Sequence, residues 1–296
     1  MKIEKSKLLY PGIVASMLIW GLSWPSGKIL TAYASPLHIA LSRFGCTFLS
    51  SLVLLSILKI PLKINQKGIL YLIVASILMT LYSLFFFTGI QHGMPGAGGV
   101  LVTTMTPIFT YIVSIILAKR KPTQTETIGL LLGIIASSFL LNIWTNYDKI
   151  LQSGNIYFLL SCITWTFLSR ITARSQEYGS PMAFSLWMYL VCSLFLSGFA
   201  NFPELFKLYQ QADHRFWVNL IFNAVINTGM ATTFYFFATS KLGAARTSSF
   251  IYIVPFAAAF FSWLIIDEKL VWNTIVGGTL GIVAVWVLNR KEKLNT

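Results

Sequence analysis

The chain's acid–base equipment is small. It has three histidines, His38, His92 and His214, and nine carboxylates: Glu4, Glu126, Asp148, Glu177, Glu204, Asp213, Asp267, Glu268 and Glu292. All lie in loops or near the ends of apolar runs. None is spaced as a nucleophile with its base or as a metal-ligand set. Cys46, Cys162 and Cys192 lie inside apolar stretches, where a thiol behaves as a small hydrophobe. No glycine-rich loop is present to cradle a phosphate. The expectation is therefore no catalytic residue, no metal and no cofactor, with a membrane-embedded enzyme as the weaker alternative.

What remains is the chemistry of binding. Arg43 sits about a third of the way into an apolar run, where a charge is costly unless it faces a cavity or a partner. It either attracts an anionic or carboxylate group, or snorkels toward the interface or pairs with backbone carbonyls. Trp20, Trp24 and Trp165 lie beside small polar groups such as Ser23 and Thr166, and could stack on a ligand or sit at the interface. Tyr82, Tyr235 and Tyr252 place polar tips within apolar runs, as do Thr103, Ser248 and Ser249, although Ser and Thr often bond their own helix. The candidate substrate-binding set is Trp20, Ser23, Trp24, Arg43, Tyr82, Thr103, Trp165, Tyr235, Ser248 and Tyr252. Pro107 and Pro255 interrupt helical hydrogen bonding in mid-run and are candidate hinges. No carboxylate sits in mid-run, which argues against a carboxylate proton relay and against binding organic cations.

The elements that must position these residues follow from composition. Of 296 residues 56% are hydrophobic and only 10% charged, where a soluble domain carries about 25%. A spanning helix needs about 20 mostly apolar residues. Ten such runs occur: Tyr10–Ile29, Pro36–Leu58, Gly68–Gln91, Pro95–Ala118, Thr125–Trp144, Gly154–Thr172, Pro181–Asn201, Phe216–Thr239, Ala244–Ile266 and Val271–Leu288, numbered here 1 to 10. They are continuously apolar, unlike the alternating strands of a membrane barrel. Run 1 follows Lys2, Lys5 and Lys7 and resembles a secretory signal. Its length and its Trp20, Trp24, Pro25 and Lys28 favour a retained helix. With the N-terminus inside, the inner segments hold sixteen of the 22 Lys and Arg residues and the outer segments six. The bias places both termini in the cytoplasm and suits a multi-pass protein of the inner (plasma) membrane. The net charge of +13 is thus topological. The basic residues form no stripe with interleaved aromatics, so nucleic acid is not an expected partner.

The two halves resemble one another. Pro107 and Pro255 lie 148 residues apart. The same offset pairs Gly129 with Gly277, Gly133 with Gly281, Ala136 with Ala284, Gly96-Ala97 with Ala244-Ala245, and Phe86-Phe87 with Phe234-Tyr235. Trp20 meets Trp165 at an offset of 145. Five runs per half is an odd number, so the halves enter the membrane from opposite sides. The basic loop Lys119-Arg120-Lys121 accordingly aligns with the net acidic Asp267-Glu268-Lys269. The expected fold is an all-α membrane protein of ten transmembrane helices in two inverted five-helix repeats, 1–150 and 151–296. Inverted halves that trade open states give alternating access to a site between them. The Gly129/Gly133 and Gly277/Gly281 pairs read as close helix packing within the protein, which functions as a monomer or a homodimer.

Trp20-Gly21-Leu22-Ser23-Trp24, Arg43-Phe44, Pro107, Pro255, Asp267-Glu268, Gly277, Gly281 and the basic tail, in this order over some 300 residues, resemble the drug/metabolite transporter superfamily, EamA type. One departure is Lys119-Arg120-Lys121 after run 4, where the family often carries an acidic residue. The resemblance implies an inner-membrane permease, commonly an exporter of amino acids or other small metabolites. A sugar-nucleotide, phosphate-ester or drug carrier of the same fold is the alternative. The partners implied are a small-molecule metabolite and the lipid bilayer.

Overall fold

The computed structural model describes residues 4–92, 95–141, 143–144, 155–266 and 272–289. The loop Asp267-Glu268-Lys269, the boundary between the halves at 150, the first three residues and the tail from Arg290 lie outside them. Among the described residues every apolar run is helical: Glu4–Thr31, Pro36–Ile57, Lys67–His92, Pro95–Leu117, Gln124–Leu141, Asn155–Thr172, Pro181–Ser197, the continuous helix His214–Leu242, Ala244–Ser249 leading into Ile253–Ile266, and Trp272–Asn289. No strand forms among them. One isolated antiparallel bridge, Ile64 to Gly179, ties the loop after run 2 to the loop after run 6. Five helices, within runs 1, 2, 3, 6 and 8, are long and apolar enough to cross a bilayer, and the bent pair Pro181–Ser197 and Phe202–Gln211 makes a sixth when counted as one span.

Local chemistry sets where the helices begin and end. The helix of run 2 starts at Ser35, whose hydroxyl accepts the His38 amide, with Pro36 in the first turn, where its missing N–H costs nothing. At the opposite ends of runs 2 and 4 the chain turns left-handed at Lys59 (φ 52°) and Lys119 (φ 50°). The amides of Ile60 and Arg120 then reach back to the Leu55 and Ile115 carbonyls, closing helix ends that would otherwise leave carbonyls bare.

Three irregularities were not legible beforehand. Run 7 was expected to continue to Asn201, but its helix stops at Ser197 and bends by 110° into a short helix, Phe202–Gln211. That helix exposes Phe202 and Phe206 while burying Leu205. Run 8 contains an eleven-residue π-helical stretch, Phe222–Thr232. In run 9 a 3-10 turn, Phe250–Tyr252, precedes Pro255. Pro255 has no N–H for the Ile251 carbonyl and its ring crowds that turn, so the helix tightens there. Pro107, by contrast, is carried within the unbroken helix of run 4.

Packing follows a simple pattern. Run 5 lies along run 10, and run 2 along run 7. Run 1 packs on run 9 and on the π segment of run 8, while run 6 packs on runs 4 and 3. Run 2 meets the π segment of run 8, and run 3 meets run 7. Gly129 lies against Leu288, while Gly133 and Gly281 lie against Tyr252, so these small residues pack within the chain. Leu49, Val53, Ile57, Leu70 and Ile116 face outward as an apolar exterior. The Ser and Thr hydroxyls of the interior mostly bond their own helix, as Ser16 does to Gly12, Ser42 to His38 and Thr110 to Thr106.

Candidate functional site

A small cavity, of about 50 Å³, lies among runs 1, 2, 3, 4, 6, 8 and 9. Run 1 contributes Trp20, Ser23 and Trp24, and run 2 contributes Arg43. Met79, Tyr82 and Phe86 come from run 3, and Val102, Thr103 and Thr106 from run 4. Trp165 enters from run 6, Asn227, Thr228 and Thr232 from the π segment of run 8, and Ile251 and Val254 from run 9.

One wall is an aromatic cluster. Trp165 meets Trp20 edge-on with centroids 5.2 Å apart, and Tyr82 lies 4.5 Å from Trp165. Trp24 lies 4.8 Å from Phe86. The Trp20 indole donates to the Thr232 hydroxyl at 3.2 Å, which fixes its ring. Rings offset at these distances attract one another by about 0.5–1.5 kcal/mol per pair beyond area burial.

Polar groups also line the cavity, beside these rings. The Arg43 guanidinium is buried, donates to the Ser83 hydroxyl, and lies 4.8 Å from the Phe44 ring and 5.1 Å from that of Phe87. Its Nε has no partner, and neither does Oδ1 of Asn227. The Asn227 amide donates to Asn223 Oδ1 at 3.3 Å, and the Asn223 amide donates to Ser26 at 2.7 Å. Among the described residues no carboxylate lines the cavity. A wall with one buried cation, an orphaned donor and an orphaned acceptor suits a ligand with an anionic or carbonyl oxygen and a hydrogen-bond donor. The aromatic wall suits an apolar body.

The π segment owes its place here to side chains that take up its displaced carbonyls. Thr47 donates to the Ala224 carbonyl at 2.8 Å, the Tyr189 hydroxyl to that of Thr228 at 3.2 Å, and the Thr232 hydroxyl to that of Asn227 at 3.0 Å. Such stretches concentrate at functional sites. Thr103 and Ile251, four residues before Pro107 and Pro255, both line the cavity. Each proline thus withholds an N–H from the turn that faces it.

The structure brings together Trp20, Ser23, Trp24, Arg43, Tyr82, Thr103 and Trp165. Tyr235 lies behind this wall, fully buried, 5.0 Å from Trp20 and 5.5 Å from Trp165. Ser248 lies outside the cavity with its hydroxyl on the Ala245 carbonyl. Tyr252 also lies outside it, wedged against Gly133 and Gly281. The sequence reading passed over Asn227 and Thr232. Their signal was an amide pair, Asn223 and Asn227, one helical turn apart in an apolar run. Among the described residues no group of three or more His, Cys, Asp or Glu could hold a metal ion.

The profile of the EamA-like transporter family matches the chain twice, over residues 8–142 and 152–290. The uncharacterized transporter YoaV of Bacillus subtilis (strain 168) is 26% identical over 271 residues, covering 91% of this chain and 92% of that protein. An uncharacterized transporter of Synechocystis is 23% identical, covering 95% of this chain and 90% of its own. A chloroplastic WAT1-related protein of Arabidopsis thaliana is 21% identical over 98% of this chain and 71% of that protein. A solved crystal structure superposes with a TM-score of 0.69 at 11% identity, covering 97% of this chain and 96% of that one, and so shares the fold. With both halves matched and the apolar helices in place, this multi-pass membrane protein belongs to the EamA-like transporter family.

Proposed function

We propose that the protein is a plasma-membrane permease that moves a small, amino-acid-like metabolite through the cavity by alternating access, its termini in the cytoplasm. The observation that carries this reading is the cavity's construction. Helices of both proposed halves line it with aromatic rings and a buried guanidinium, and no carboxylate lines it among the described residues. The substrate's carboxylate would meet Arg43, its ammonium the Asn227 carbonyl oxygen, and its side chain the ring wall.

The reading includes ten crossings in two inverted halves, 1–150 and 151–296. The packing pattern supports it: moving each run five places along exchanges the contact of runs 1 and 9 with that of runs 6 and 4. It likewise exchanges 1 and 8 with 6 and 3, and 2 and 8 with 7 and 3. The pairs 5 with 10 and 2 with 7 map onto themselves. The cavity draws lining residues from both proposed halves, as an inverted repeat would have it. Pro107 and Pro255 are the hinges of this scheme.

The alternative substrate, a phosphate ester or sugar nucleotide, is favoured only by Arg43, and more than one cation would be expected in the cavity for a dianion. The test is uptake into proteoliposomes of neutral amino acids, organic acids and phosphate esters by wild type, Arg43→Ala and Trp20→Ala. Transport of amino acids that both substitutions abolish, with protein level unchanged, is the expected result. Transport of phosphate esters alone would replace the proposed substrate class, and movement of none of the panel would remove it.

A further inference from the structure

A second concavity, of about 530 Å³, opens at the end of the bundle that the positive-inside count assigns to the cytoplasm. It shares no lining residue with the central cavity. Three arginines face it from different elements: Arg120 after run 4, Arg170 in the last turn of run 6, and Arg246 in the first turn of run 9. Among the described residues one carboxylate lines it, Glu126, and Arg120 already engages both of that residue's oxygens, at 2.6 and 2.5 Å. Arg170 and Arg246 have no acidic partner among the described residues. The described residues of the wall therefore carry a net charge of about two positive units, concentrated on two guanidiniums.

Topology alone would account for basic residues at this end, spread over its loops. It does not account for Tyr111. This residue lines the concavity, is 2% exposed, and its buried hydroxyl has no hydrogen-bond partner among the described residues. A buried orphan hydroxyl costs free energy until something bonds it. Two guanidinium forks without an acidic partner among the described residues, and an orphan phenol, make one recess a receptor for an oxyanion.

We infer that this recess is a second anion-binding site, built by Arg170, Arg246 and Tyr111, which takes a carboxylate or phosphate group. Its occupant is either a free organic anion loading from that side or the headgroup of an anionic lipid. The chemistry of recognition is the same for both. The site does not depend on what the central cavity carries.

The test is thermal unfolding of the purified full-length protein in neutral detergent, with phenyl phosphate as the probe and sodium chloride controls at equal ionic strength. The probe should raise Tm by roughly 5 °C when well above its Kd. Arg170→Gln with Arg246→Gln should abolish the shift, and Tyr111→Phe should weaken probe binding severalfold. Arg43→Met, in the central cavity, should leave the shift intact. No shift in wild type, an equal shift with sodium chloride, an undiminished shift in the double variant, or loss of the shift in Arg43→Met would each overturn the inference. Repeating the titration in nanodiscs of phosphatidylcholine with and without phosphatidylglycerol separates the two occupants. Suppression by phosphatidylglycerol in wild type assigns the site to lipid, and its absence assigns it to a free anion.

Discussion

Replacing Arg43 by methionine should separate binding from stability. An arginine deep in a membrane helix costs about 2.5–3.5 kcal/mol. Two rings at 4.8 and 5.1 Å offset part of that, at about 1–2 kcal/mol each when desolvated. The charge-assisted bond to Ser83 contributes about 1.5–3 kcal/mol, and the unpartnered Nε costs about 1–3 kcal/mol. These opposing contributions nearly cancel. Methionine removes them together while filling similar volume, so stability should change by no more than about 2 kcal/mol, or roughly 6 °C in Tm. Binding has no such cancellation. A lost charge-assisted contact of about 1.5–3 kcal/mol weakens affinity by about 10- to 150-fold. The assay is substrate uptake in proteoliposomes, fitted for KM, beside thermal unfolding of the same preparation. A KM within twofold of wild type, or a collapse of Tm by well over 10 °C, would refute the reasoning. The first outcome would remove Arg43 from recognition, and the second would make it a structural residue.

Other perturbations test the surrounding framework. Trp20→Phe keeps the ring against Trp165 but removes the indole bond to Thr232, and should cost about 0.5–1.5 kcal/mol in chemical unfolding. Gly133→Val would drive a side chain into the Tyr252 hydroxyl and should destabilise by about 1–3 kcal/mol. Tyr252→Phe alone should be neutral or stabilising, since that hydroxyl has no partner, and combining the two should recover part of the loss in a double-mutant cycle. Asp213 caps the helix His214–Leu242: the Phe216 amide and then the Tyr33 hydroxyl hold its carboxyl below the usual carboxylate range. The cap should therefore be intact above about pH 4 and be lost as pH falls through the lowered value, read as faster amide exchange in that helix's first turn that Asp213→Asn makes independent of pH.

The helices were legible because continuous apolar runs bounded by charge have few other readings. The short helix Phe202–Gln211 was not. It spans ten residues, too short to cross a bilayer, and its charges read as loop. The π stretch in run 8 left no trace either, because one extra residue per turn is set by partners elsewhere in the chain, such as Thr47 and Tyr189. Among site residues, charge and aromaticity in apolar runs pointed to Arg43, Trp20 and Trp165. Asn227 carries neither charge nor ring, the two features that stand out in an apolar run. Ser248 and Tyr252 lie one turn apart in run 9, outside the cavity, while Ile251 and Val254 of the same run line it. Which face of a uniformly apolar helix looks inward is decided by packing, which no periodicity in run 9 reveals.

The central claim, alternating access to the cavity between the halves, is tested most directly by labelling Ser23→Cys with a membrane-impermeant maleimide, in a protein whose Cys46, Cys162 and Cys192 are replaced by alanine. Right-side-out and inside-out vesicles are labelled with and without substrate. The account predicts labelling from both sides, slowed from both by substrate. Labelling from one side only, whatever the substrate gradient, would contradict it.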